Sequence, residues 1–157
     1  MTKSLLQVIT GLLVLPPLAG ALDGTVRVAD LNLIPYEIVN GTTIPAPLTN
    51  IPCDPDKGRL LASLQSAGNC LSCHRMPIPE EPDHGGVGTD LAGVSNRWSE
   101  GELRLRLVNP KIVNPQTVMP AFYRVNGLYR VAKPFYGSPI LTAQQIENVI
   151  CYLKTLK

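Results

Sequence analysis

The chain has 157 residues, enough for one domain behind a short leader, and a formal charge of only +2. That balance excludes the basic footprint of a nucleic-acid binder. Aromatic residues are 5% of the chain and prolines number 15, so a core built from side chains alone would be thin.

Residues 1–21 hold one basic residue, Lys3, then an apolar run from Leu5 to Leu15. Pro16-Pro17 breaks the run, and Ala19-Gly20-Ala21 supplies the small residues of a cleavage site. This order reads as a secretory signal peptide cleaved near Ala21. The alternative is an uncleaved anchor, for which the run falls short of the about 20 residues of a membrane span. Cleavage leaves 157 − 21 = 136 residues and, with Lys3 gone, a charge of +1.

Residues 22–56 carry no long apolar period and read as an extended N-terminal arm. Thr25 to Val28 suits one short strand. Ile44-Pro45-Ala46-Pro47-Leu48 and Ile51-Pro52 are proline-spaced, which keeps the backbone extended. The apolar residues of the arm predict that it packs against something, since a disordered arm would be more polar.

Residues 57–157 form the main domain. Its first helix is expected to start at Asp56 as N-cap, with Leu60, Leu61, Leu64 and Ala67 at helical spacing and Gly68 as its end. Cys70-Leu71-Ser72-Cys73-His74 follows at once. This is a C-x-x-C-H run, the attachment sequence of a c-type haem. The two thiols are spaced to hold one porphyrin through two thioethers, and His74 supplies one axial nitrogen to the iron. A buried porphyrin also provides the apolar bulk that the composition lacks. The competing reading is a zinc site using Cys70, Cys73, His74 and one more ligand; it needs free thiolates and lacks a second paired motif. Haem attachment of this type takes place outside the bacterial cytoplasm, so the leader and the motif agree on a periplasmic location.

Met76 to Trp98 reads as loop, rich in proline and glycine. Ser99-Glu100-Gly101-Glu102 is a capping box opening a helix with Leu103, Leu107 and Val108 on its inner face and Arg104 on the opposite side. Asn109-Pro110 stops it. Asn114-Pro115 and Met119-Pro120 keep the next stretch extended. Asn126-Gly127 lies between two β-prone runs, a signal for a hairpin or for an irregular loop. Thr142 to Gln145 is a second capping box, and Ile146, Val149, Ile150 and Leu153 define a final amphipathic helix.

The sixth iron ligand must come from a distant segment. Met76 is too close to His74 to cross the ring. Met119, 45 residues beyond His74 and stiffened by Pro120, is the candidate. His84 is the alternative, its ordinary role being a solvent-facing loop residue. A thioether ligand favours ferrous iron and raises the reduction potential. Cys53 and Cys151 remain. In an exported protein an even leftover pair reads as a disulfide, worth about 4 kcal/mol of loop entropy; two unpaired thiols are the alternative.

The C-x-x-C-H run, the Met-Pro pair and the last helix make the chain resemble a monohaem cytochrome c. The resemblance implies a mainly α, cytochrome c-like monohaem domain with long loops. Ile44 to Leu48, Gly68 to His74, Thr117 to Tyr123, Gly127 to Ala132 and Pro139 to Gln145 narrow it: over most of the mature chain it resembles the SoxX family, the monohaem subunits of the SoxAX cytochromes of bacterial sulfur oxidation. That resemblance implies one covalently bound haem c and a periplasmic heterodimer with SoxA. It also implies a complex that couples thiosulfate to a cysteine of the carrier SoxYZ, an L-cysteine S-thiosulfotransferase. In that complex the sulfur chemistry belongs to SoxA. This chain would be a subunit without catalytic residues of its own, passing electrons to a soluble cytochrome. A freestanding periplasmic electron shuttle is the rival reading. No membrane contact is expected after signal cleavage.

Overall fold

Thr25–Asp30 (β1) and Leu33–Val39 (β2) pair antiparallel, with Thr25 opposite Val39 and Val28 opposite Tyr36. The computed structural model describes residues 24–30 and 32–157. The expected leader, residues 1–21, lies outside the described residues. The arm therefore holds a hairpin where one short strand was expected. In β2, Tyr36 and Ile38 point inward while Pro35 and Glu37 stay exposed, the period of two that half-buries a strand. Pro35 is tolerated because a two-stranded sheet has only edges.

Beyond the hairpin the arm runs over the helical body, as its apolar content predicts. Ile44 and Leu48 are buried, and the Ile44 N–H donates to the Gly101 carbonyl at 3.0 Å. The arm thus contributes to the same core as the main domain.

Pro55–Ser63 (α1) is capped two residues before the expected cap. Asp54, not Asp56, accepts the N–H groups of Asp56 and Lys57, at 3.0 and 3.1 Å, and Pro55 occupies the first turn, where its missing N–H costs nothing. The helix ends at Ser63, earlier than Gly68. Its buried residues are Gly58 and Ala62, whereas Leu60 is 62% exposed. A Cβ on Gly58 would stand 1.9 Å from the Asn148 carbonyl oxygen, so glycine is what lets α1 lie backbone-close to the last helix.

Val94–Arg97 (α2) and Glu100–Val108 (α3) follow the long loop. The Ser99 capping box forms as expected: Ser99 N–H donates to Glu102 Oε2 at 2.9 Å, and the Glu102 N–H returns to Ser99 Oγ. Leu103, Leu105, Leu107 and Val108 are buried. Arg104 is a correction. It is 2% exposed rather than outward-facing, because Glu147 receives its guanidinium in two hydrogen bonds of 2.8 and 2.9 Å. Its remaining nitrogen donates to the Ile44 carbonyl at 2.7 Å, and Glu147 also accepts the Leu48 N–H. One buried ion pair thereby ties the arm to two helices.

Pro110–Val113 (α4) is a short turn that the sequence reading passed over. Residues 123–131 form no hairpin; they are an irregular loop in which Arg124 Nε donates to the Asn126 carbonyl. Tyr129 there is 91% exposed, so the strands would have had no face to bury. Ala143–Thr155 (α5) opens with the Thr142–Gln145 box and buries Ile146, Val149, Ile150 and Leu153. α1 and α5 lie against each other, with α3 packed on α5. Among the described residues no helix is long and apolar enough to cross a membrane.

Candidate haem site

Cys70–Ser72 form one 3₁₀ turn just after α1, and the His74 N–H closes it on the Cys70 carbonyl at 2.9 Å. Asn69, ahead of the turn, has the left-handed conformation that asparagine tolerates. Leu71 drops into the core and anchors the turn. Cys70 and Cys73 are unpaired and partly exposed, and Cys70 packs against the core cluster. Burial pushes the Cys70 thiol up to about 11, so it is protonated at neutral pH. Among the described residues no cluster of three or more Cys, His, Asp or Glu is arranged to hold a metal.

The glycine-rich loop backs this turn along its length. Gly85 N–H donates to the Leu71 carbonyl and Gly88 N–H to the Cys73 carbonyl, each at 2.7 Å. Leu91 N–H reaches the Arg75 carbonyl at 2.9 Å. His74 Nδ1 lies 2.7 Å from the Thr89 carbonyl oxygen. A carbonyl only accepts, so Nδ1 carries the proton and Nε2 keeps its lone pair. Gly88 is the floor beneath the ring: a Cβ there would meet Cε1, Nδ1 and Nε2 of His74 at 2.4 to 2.7 Å. These features fit a haem: two free thiols one turn apart, then an imidazole with a fixed tautomer and an available nitrogen.

Met119 lies on a separate pinned loop. Its N–H donates to Thr117 Oγ1 at 3.2 Å, and Lys111 Nζ holds the Thr117 carbonyl at 2.8 Å. On the far side, Phe122 N–H donates to the Leu107 carbonyl at 2.9 Å. Met119 is partly buried against the core cluster. His84 is half-buried, not solvent-facing. Its Nδ1 accepts the Met76 N–H at 3.3 Å, which draws the ring into the loop. Met76 itself is buried in the core.

Cys53 and Cys151 are joined as a disulfide, with Cα atoms 6.1 Å apart and 98 positions between them. The bond links the residue just ahead of α1 to the middle of α5. Two supporting residues had no sequence reading of their own, Thr89 and Gly88. The first acts through a backbone carbonyl, which no residue type advertises. The second was visible only as part of a glycine-rich stretch. Trp98 also meets two guanidiniums, that of Arg106 at 4.2 Å and that of Arg97 at 5.6 Å from its ring centre. Arg97 in turn donates to the Ala92 and Asp90 carbonyls, which fixes the chain just past Thr89.

The cytochrome c family model matches residues 60–157, and the chain belongs to the cytochrome c family, whose members carry covalently bound haem c. Its fold is accordingly mainly α with a small two-stranded sheet. The chain is similar to one in the crystal structure of SoxXA from P. pantotrophus, at 37% sequence identity and a TM-score of 0.70. That match covers 74% of this chain and 91% of the other. Within the family this chain is of the SoxX type, as the resemblance read from its sequence implied. Among curated protein sequences no match was found.

Proposed function

We propose that this chain is the monohaem electron-relay subunit of a two-chain, periplasmic, thiosulfate-oxidising cytochrome. Cys70 and Cys73 would hold one haem c through thioethers, and His74 Nε2 and Met119 Sδ would ligate its iron. The observation that carries this reading is the 2.7 Å contact of His74 Nδ1 with the Thr89 carbonyl, which leaves only Nε2 for iron. A hydrogen-bonded second nitrogen is the usual support of a metal-bound imidazole.

Bound haem supplies a one-electron couple at iron. The protein's part would be to supply both iron ligands from its own residues. The Gly88 floor and the Thr89 carbonyl stop the imidazole from rotating. Lys111, Thr117 and Phe122 restrain the loop of Met119. A centre restrained on both sides suits outer-sphere electron passage. The buried charged pair Arg104–Glu147 is fully engaged in structure. The sulfur chemistry therefore falls to a SoxA-like partner, acting on thiosulfate and a SoxYZ-type carrier cysteine. This chain accepts electrons from that partner and passes them to a downstream soluble cytochrome. The disulfide Cys53–Cys151 is part of the same oxidising-compartment reading.

Gentle purification from the native host tests the proposal. The expected result is co-elution with a second haem protein, identified by mass spectrometry as SoxA-like. A monohaem monomer at micromolar concentration would instead identify a freestanding shuttle.

A further inference from the structure

Met119 is held at its flanks rather than by deep burial. The residue is only partly buried, and Val118 beside it is 79% exposed. Upstream, Lys111 and Thr117 pin the chain. Downstream, Phe122 is bonded on both sides of its backbone. Its N–H donates to the Leu107 carbonyl, and its carbonyl accepts the Leu141 N–H at 3.0 Å. The bond between Phe122 and Leu141 closes the neck of an irregular loop over residues 123–140, whose regular part is the 3₁₀ turn Lys133–Phe135. Such a loop has little secondary structure of its own to keep it in place.

The hairpin near the other end of the chain supplies a hold from outside. Tyr123, four residues beyond Met119, is buried, and its hydroxyl oxygen accepts the Ile34 N–H at 2.8 Å. Its ring lies 6.3 Å from that of Tyr36 and is tilted by 49°, within the range in which aromatic pairs attract. The Asp30 carboxylate serves the turn and the loop together: Oδ1 accepts the Asn32 N–H at 3.0 Å, and Oδ2 accepts Asn126 Nδ2. Asn32 Nδ2 in turn donates to the Gly137 carbonyl at 3.3 Å. The stretch from Asp30 to Ile34, where β1 passes into β2, is thus bonded to separated points of the loop that lie 89 to 105 positions away in sequence. Segments with few buried contacts open locally before a molecule unfolds as a whole. Bonds from the hairpin act against that opening in the segment that follows Met119.

We propose that the N-terminal hairpin braces the axial methionine, with Tyr123 as the positioning residue that carries its hold to Met119. This rests on the axial reading of Met119 given above. The hairpin and Tyr123 act through the loop: they set how often it opens, and hence how readily an added ligand replaces the thioether. The same hold favours the ferrous state, since it keeps the thioether in place.

The test uses the ferric haem-bearing protein with imidazole as the added ligand. Loss of the sulfur-to-iron charge-transfer band gives the rate of replacement, and a redox titration gives the potential. Tyr123→Phe keeps the ring and removes the hydroxyl that receives Ile34. A second variant, Asp30→Ala with Asn126→Ala, cuts an exposed bond of the same brace. Asp54→Ala is the control: it removes the cap of α1 and lowers overall stability away from the hairpin. Tyr123→Phe is expected to bind imidazole at least about tenfold faster than wild type, the scale of one buried hydrogen bond, and to have a lower potential. The double variant should move the same way by less, and the control should keep the wild-type rate and potential. A wild-type rate in Tyr123→Phe overturns the proposal. An equal acceleration in the control also overturns it, because the effect then follows overall stability. Should Tyr123→Phe yield no folded haem protein, the double variant decides, and a wild-type rate there overturns the brace. A wild-type ferric spectrum without the sulfur band is a different result: it overturns the assignment of Met119, and the brace falls with it.

Discussion

His74 Nδ1 lies 2.7 Å from the carbonyl oxygen of Thr89, fifteen residues further along the chain. The bond fixes the tautomer and the rotation of the ring together, so the nitrogen left for iron is chosen by the backbone of a loop. Loop mutations that move Thr89 should therefore be felt at the metal.

Gly88→Ala tests this most directly. The added methyl would stand at 2.4 to 2.7 Å from three ring atoms. Overpacking of that kind costs about 1–3 kcal/mol. The expected outcome is lower stability in chemical denaturation, together with a shifted reduction potential. A potential equal to wild type would show that the loop, not the ring, gives way.

Met119→Leu is expected to abolish the red sulfur-to-iron charge-transfer band of the ferric protein and to lower the reduction potential, since the thioether favours ferrous iron. Optical spectra and a redox titration measure both. A band that persists would assign the sixth position elsewhere.

The Arg104–Glu147 pair should behave as a buried charge pair does. Arg104→Met alone leaves Glu147 buried and half-satisfied, and is expected to cost about 3–5 kcal/mol in denaturant unfolding. Adding Glu147→Met should return part of that loss, although the Leu48 N–H still loses its acceptor. Equal losses from the single and double variants would refute the coupling.

Replacing Cys53 and Cys151 by serine opens a loop of 98 positions. The chain-entropy model gives a loss of about 4–5 kcal/mol for a loop of that length. Thermal melting of the variant against wild type checks it.

The Ser99 capping box has a pH signature. The Ser99 backbone N–H, and then its hydroxyl, hold the Glu102 carboxyl below its ordinary value of 4.5. A group depressed in the folded state stabilises above its unfolded value and loses that contribution as pH falls through the folded one. The stability gap between wild type and Glu102→Ala should thus be present at neutral pH and shrink in acid below 4.5. A gap that does not change with pH would assign the effect to helix propensity.

The parts of the fold that the sequence announced are those written in neighbouring residues. The residues that make up each capping box, the C-x-x-C-H turn and the period of α5 are close neighbours within that one feature. The parts it hid depend on distant partners or on small groups. Arg104 and Glu147 are 43 residues apart, and a charged side chain on a helix is read as outward until its partner is known. The α1–α5 contact is made through Gly58 and Ala62, which a search for large apolar side chains passes over; Leu60, which the search chose, is exposed. β2 was missed because Pro35 sits inside it. At the site, Cys70, Cys73, His74 and Met119 were legible as residue types, while the support for His74 lay in a carbonyl and a missing side chain.

The Gly58–Asn148 approach also orders events in time. α1 finds its main packing surface in α5, which ends two residues before the last residue of the sequence. Contacts of such long sequence separation close late and slowly. Until the last helix arrives, α1, which leads into the turn holding Cys70 and Cys73, lacks its main packing surface. The final segment is therefore the latch of the fold: α1 is held in place only once α5 has closed on it.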